Sequence, residues 1–428
     1  MLTTVSIWTG RLATALQEAT RQSQEGFAAN LGLSPRTVAK WREHPDAQLR
    51  ATTSEILDTA LARIDDHARQ RFFSLTAASA SATTMVRSPA SSPSDWLMAA
   101  AMESSSDALL RSGHVGAHVF PDLVQHIMHI ARSYDSESRL SAFRHAQATR
   151  DLAIRLADQT RRPSDLADLY VALGELNGLM ASLAFDLGNW DAAAPMARAA
   201  TAYAEMSGHA SLHAWTIGLE ATLAFWRGDG VTALARVDAG LSVAPRGAPR
   251  FRLLNIAARA HAVNGDLMGT CRVLEQSVVE REIAEGLRDE LHDAVGGEFH
   301  FDDARASACA GAAWLQLRAG EAALQHTIRT LELYEADGGL TSPGVVNGAR
   351  IDTAAALLMQ GDLSDAERYL RPVLDLQPDP DNVSLGRRLE TVVQLLDQPQ
   401  WRDGTAAKAL ASTTSAWLSG GPGQSRSQ

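Results

Sequence analysis

Five short turns, each containing a glycine, recur between helix-length segments of this 428-residue chain: LGNW at Gly188, RGDG at Gly228, NGDL at Gly265, RAGEA at Gly320 and QGDL at Gly361. The intervals between successive glycines are nearly equal, except that the one from Gly265 to Gly320 is clearly longer. Seven residues before every one of them is an alanine: Ala181, Ala221, Ala258, Ala313 and Ala354. Five residues after four of them is a small residue: Ala193, Ala233, Thr270 and Ala366. Small residues on both arms of a helical hairpin let two backbones approach closely. A fixed period of such hairpins marks a stacked array, in which each unit buries its apolar face against the next. Pro245 and Pro378, each at the same distance beyond its own glycine, end the second arm. The spacing predicts an all-α fold over residues 96–418, with an Ala-rich helical bundle lacking repeats as the rival arrangement.

Composition agrees. Alanine, the strongest helix former, is the commonest residue, and hydrophobic residues make up 45% against 6% aromatic. Two cysteines, Cys271 and Cys309, are too few for a disulfide framework. There is no apolar run of membrane-spanning length and no leader pattern, so the sequence predicts a cytoplasmic protein with no membrane role. The GxxxxGK, HExxH, GxSxG and GxGxxG patterns are all missing. No catalytic residues, metal site or cofactor are expected, and the chain is read as a non-enzyme.

Charge divides the chain. Residues 1–75 hold nine basic and eight acidic residues, while the rest of the net charge of −11 lies downstream. Between the two parts runs LTAASASATTMVRSPASSPSD, rich in Ser, Ala, Thr and Pro and without apolar periodicity. It reads as a flexible linker over 75–95, with a disordered tail over 419–428.

In the first part, Trp8, Leu12, Ala15, Leu16 and Ala19 form one apolar face at helical spacing, and Arg21–Ser23 closes that helix. A second short helix runs from Gln24 to Leu31. Gly32 supplies a left-handed turn, and Ser34 followed by Pro35 caps and opens a third helix. That helix turns Val38 and Trp41 inward and Arg36, Thr37 and Lys40 outward. A further helix over Ser54–Phe73 carries Leu57, Leu61, Ile64, Ala68 and Phe72 as its stripe. Two helices about a tight turn, the second with a cationic outer face, can enter a DNA major groove.

The stretch QEGFAANLGLSPRTVAKW resembles the helix-turn-helix of the Cro and lambda-repressor type, the xenobiotic-response-element (XRE) family, over residues 1–74. It departs from the family at Trp41-Arg42, where an acid commonly follows the tryptophan. The resemblance implies that Gln24 touches phosphate or base and that Ser34 and Thr37 position the backbone or read a base. Arg36 and Lys40 would then read or clamp the duplex. With only six basic and four acidic residues over 11–50, one copy should bind weakly, which predicts a homodimer on a palindromic double-stranded operator.

The repeats downstream resemble tetratricopeptide (TPR) units, lengthened beyond the standard repeat of about 34 residues. A DNA reader joined to such an array resembles the RRNPP peptide-sensing, quorum-sensing regulators of bacteria. That likeness implies an effector, a short peptide or a metabolite, held on the concave face. By the TPR register that face carries Trp215, Thr222, Phe225, Trp226, Arg252, Asn255 and Arg259, with Phe185. The alternative is a DNA-tethered adaptor whose helical surface recruits a protein and takes no small ligand. Three other clusters read as structural: His114, His118, His126 and His129 as scattered histidines, HDAVGGEFHFDDA at 292–304 as a packed insertion, and the two cysteines as ordinary core residues.

Overall fold

The computed structural model describes residues 8–45, 47–64, 68, 71–72, 97, 100, 104, 119–134, 136–336, 343–376 and 383–420. The linker over 75–95, Pro378, His114, His118 and the tail beyond Gly420 lie outside them. Every regular element among the described residues is helical, and the single β contact is an isolated Thr9–Gln48 bridge, so the fold is all-α. The chain forms two compact units, Met1–Ser92 and Pro93–Gln428.

In the first unit the helices are α1 (Gly10–Ala19), α2 (Gln24–Leu31), α3 (Pro35–Glu43) and α4 (Ala51–Arg63). Ser23 and Ser34 cap α2 and α3 through their hydroxyls, and Gly32 between them is left-handed at φ 66°. Trp8, Leu16, Phe27, Ala28, Val38, Trp41, Leu57 and Phe72 form the core. The chain after α3 doubles back over the start of α1. There Pro45 and Ala47 accept hydrogen bonds from the otherwise unpaired amides of Arg11 and Gly10. A Cβ on Gly10 would strike the carbonyl oxygens of Trp41 and His44, so this close crossing requires glycine. The helix expected to run unbroken over Ser54–Phe73 ends instead at Arg63. Ile64 turns extended, and Ala68, Arg71 and Phe72 resume helical geometry. The apolar stripe continues through the bend because Ala68 and Phe72 still reach the core.

The second unit contains α5 (Val119–Ser133), α6 (Arg139–Gln159) and then five hairpins. The hairpins are α7 (Pro163–Asp186) with α8 (Trp190–Ser207), α9 (Ala210–Trp226) with α10 (Gly230–Val243), and α11 (Ala248–Val263) with α12 (Leu267–Gly286). Next come α13 (Asp303–Gln316) with α14 (Gly320–Ala336) and α15 (Pro343–Gln360) with α16 (Leu363–Leu374). Helices α17 (Val383–Leu396), α18 (Pro399–Arg402) and α19 (Thr405–Leu418) close the unit.

Four turns are made as their glycines predict. Gly188, Gly228, Gly265 and Gly361 are left-handed, at φ 76°, 83°, 70° and 91°. The following Asn189, Asp229, Asp266 and Asp362 cap the second arm by accepting an amide three residues on. The fourth turn differs from expectation. Its left-handed residue is Arg318, at φ 61°, and not Gly320. The amides of Arg318 and Ala319 donate to Leu315 and Trp314, just as Gly228 and Asp229 donate to Phe225 and Ala224. Gly320 opens α14, where a Cβ would lie 2.9 Å from that of Met359. Moving the register by two restores the pattern: Gly311 takes the first small position and the fully buried Ala323 the second, alongside Ala193, Ala233, Thr270 and Ala366.

The long spacing between the third and fourth turns holds an insertion over 287–302, with a π-helical turn at Glu290–Val295 and a 3-10 turn at Gly297–Phe299. It folds back onto earlier helices. Arg132 of α5 donates to the Val295 and Ala294 carbonyls at 3.0 and 2.7 Å, and Gly297 lies against the α5 backbone at Ala131. Phe299 and Phe301 are buried at 2% and 7% exposure. At the other end of the unit, α17 reaches the first hairpin. Val383 lies over Gly188, and Arg387 covers the Trp190 ring at 3.9 Å and donates to the Trp226 carbonyl at 3.2 Å.

Candidate nucleic-acid interface and effector face

The five residues singled out in the first unit fall on one side of the α2–α3 hairpin. Gln24, half-buried at the first position of α2, donates from Nε2 to the Pro35 carbonyl at 2.9 Å and so ties the start of one helix to the start of the next. Ser34 Oγ accepts the Thr37 amide at 3.1 Å and shares a 2.8 Å hydrogen bond with Thr37 Oγ1. These bonds fix the opening turn of α3 while leaving lone pairs on both hydroxyls. Arg36 and Lys40 are exposed, four residues apart and hence on one helix face, and neither has a hydrogen bond or ion pair among the described residues. Val38 and Trp41, at 1% and 4% exposure, anchor the opposite face. The result is a rigid, N-terminally capped helix presenting two free cations and a hydroxyl pair. The open helix N-terminus adds partial positive charge, and together these groups suit phosphate oxygens and base-edge acceptors. Arg42 at the end of α3 turns away, its guanidinium 3.4 Å from Gln17 Oε1.

The seven residues assigned to an effector separate into three sets. Trp215 and Arg252 come together, the guanidinium 4.8 Å from the indole and donating to the Trp215 carbonyl at 2.9 Å. The insertion covers them: Phe299 packs 4.7 Å from Trp215, and Glu298, which pairs with Arg305 at 3.4 Å, supports the charge on Arg252. Phe225, Trp226 and Arg259 form a second set, with Arg259 lying 4.6 and 5.1 Å over the two rings. Phe185 and Trp190 join them edge-on and α17 covers the group. Thr222 bonds back to the Gly218 carbonyl at 2.9 Å. Asn255 joins neither set: at 1% exposure it lines a cavity with Cys271 and Trp314, and its Nδ2 donates to the Phe251 carbonyl at 2.8 Å. The face drawn from the repeat register thus exists, but side chains of the same protein already occupy much of it. Glu298 and Phe299 are the residues that the register misses, and the extra length before the fourth turn is their signal.

Burial governs the electrostatics inside this unit. It pulls Arg252 and Arg388 down to about 10, so both remain charged at neutral pH. Arg388 pairs with Asp352. Burial also pushes the Cys309 thiol up, against the pull of Arg259, Arg252, Arg388 and Arg305. Glu175 of α7 rises to about 8 through burial, with the neighbouring charge of Glu290 adding to the shift, and is therefore largely protonated at pH 7.

The remaining clusters are structural in their geometry. His129 meets Glu137 at 3.3 Å, and burial lowers the pKa of His126. His292 and His300 stack at 4.1 Å, with His292 bonded to Asp293 and to the Phe301 carbonyl. Cys271 and Cys309 are free thiols. Among the described residues no group of three or more His, Cys, Asp or Glu is placed to hold a metal ion, and no helix is long and apolar enough to cross a membrane. Comparison with protein-family models and with curated proteins finds no match for this chain.

Proposed function

We propose that this protein is a sequence-specific DNA-binding transcriptional regulator. In this reading the first unit reads a double-stranded operator through α3, and the second unit dimerises and responds to an effector, a short peptide or a metabolite. The observation that carries the reading is the pair of unpartnered cations, Arg36 and Lys40, on the outer face of a helix whose start is fixed by Ser34, Thr37 and Gln24. A merely solvated helix needs no such fixing. A capped and clamped helix N-terminus instead supports the entry of its first turns into a major groove. A homodimer on a palindromic site doubles the modest positive charge of one copy. An effector acting on the helical array would then alter the separation of the two reading helices.

The test is binding to DNA flanking the protein's own gene, followed by fluorescence anisotropy at several salt concentrations. Arg36→Ala combined with Lys40→Ala should weaken specific binding by about 100-fold, from ~1–3 kcal/mol per lost contact, and flatten the salt dependence. Undiminished binding by the folded double variant would overturn the assignment.

A further inference from the structure

The stacking of the array is interrupted at one junction. The second arm of a hairpin packs on the first arm of the next where α8 meets α9, α10 meets α11 and α14 meets α15. Helix α12 makes no comparable packing on α13, because the insertion over 287–302 leaves its end before α13 begins. The break is a cavity of about 570 Å³, with α12 and α14 as its walls and α11 and α13 as its floor. That volume lies in the range of small-molecule sites, about 300–1,000 Å³.

The chemistry of the lining narrows the occupant. Phe251 and Trp314 supply aromatic surface, with Ala306 and Ala310 between them. Asn255 is 1% exposed, and its Oδ1 accepts a hydrogen bond from no described residue, although its Nδ2 is bonded to Phe251. A buried amide oxygen without a donor costs about 1–3 kcal/mol, and a ligand donor would recover that cost. The His326 imidazole, on the opposite wall, also has no described partner. Burial keeps it neutral at neutral pH, able to donate from one nitrogen and accept at the other. Charge at the rim is already matched: Arg281 pairs with Asp303 at 3.1 Å and Arg329 with Glu332 at 3.4 Å. A charged ligand would therefore lose its hydration without gaining a counter-ion.

We propose that the break between α12 and α13 is a binding site for an uncharged aromatic small molecule carrying one amide-like group. Its ring lies against Phe251 and Trp314, and its polar group bonds to Asn255 and His326. The site belongs wholly to the second unit and does not rest on the DNA-binding reading.

The experiment is titration calorimetry of the full chain with indole-3-carboxamide, indole-3-carboxylate and tryptamine, one ring system in neutral, anionic and cationic form. The amide is expected to bind one site per chain at least tenfold more tightly than either charged form. Asn255→Leu should weaken it tenfold or more. Ala306→Trp, which projects a ring into the cavity from a partly exposed position, should abolish binding. The second readout needs no change in the cavity: in a Cys309→Ala protein, the amide should slow alkylation of Cys271 by iodoacetamide at least fivefold. This decides the matter if either cavity variant fails to fold. Tighter binding of a charged form, no saturable binding of the amide, or alkylation of Cys271 at an unchanged rate would each overturn the proposal.

Discussion

Arginine behaves in opposite ways in the two units. On α3 of the first unit, Arg36 stands in water with no partner, on a helix held from behind by Val38 and Trp41. Within the second unit, Arg252, Arg259 and Arg388 are turned inward onto Trp215, onto Phe225 and Trp226, and onto Asp352. A guanidinium can bind an external anion cheaply only where it has not already been desolvated and paired. The exposed set is therefore available to a ligand, whereas the inner set is committed to the fold. Counting cations along the chain does not reveal this difference.

The sharpest way to break the comparison is to make the same substitution in both places. Arg388→Ala leaves the buried Asp352 carboxylate without its partner and should destabilise the second unit by about 3–5 kcal/mol, read by chemical denaturation. Arg36→Ala should stay within about 0.5 kcal/mol. Equal effects would remove the distinction.

The buried acid gives the next largest effect. Because the folded pKa of Glu175 is raised from 4.5 to about 8, the folded form holds its proton more tightly than the unfolded chain. Its stabilising contribution is full below pH 4.5 and is lost progressively as pH rises towards about 8, at about 1.4 kcal/mol per pH unit. Glu175→Gln should abolish that slope in a series of unfolding curves from pH 5 to 8. A slope that survives the substitution would place the titrating group elsewhere. The smallest effect concerns the reading helix itself. Ser34→Ala removes the cap of α3 and should cost about 1 kcal/mol. It should also weaken DNA binding while leaving the unfolding of the second unit unchanged.

Much of the first unit is legible from its sequence because its signals are local. Ser34-Pro35, Gly32 and the spacing of Val38 and Trp41 act within one turn of the backbone they shape. The bend at Ile64 is not legible, since the apolar stripe keeps its spacing on both sides of it. The hairpin turns of the second unit can be read wherever glycine takes the left-handed residue. The reading slips where Arg318 does so and a nearby glycine, Gly320, serves close packing instead. On the inner face, the approach of Arg252 to Trp215 follows from the repeat register. The cover provided by Phe299 does not, because Arg132 holds the insertion through backbone carbonyls that have no residue signature. Asn255 lies about 60° round α11 from Arg252, three residues at about 100° each, which is enough to move it from the inner face to the flank beside α12.

The insertion also changes how the second unit comes apart. A simple array of hairpins is a chain of nearest neighbours, able to fray from either end one unit at a time. Here Arg132 is bonded to residues some 160 positions later, and Arg387 reaches back about as far to Trp226. These two ties convert a zipper into a cross-laced structure. Its early helices cannot peel away before the middle loosens, and its last long helix cannot leave without uncovering the first hairpin. Folding of this unit must accordingly wait for contacts distant in sequence, which makes it slower and more cooperative than its repetitive sequence suggests.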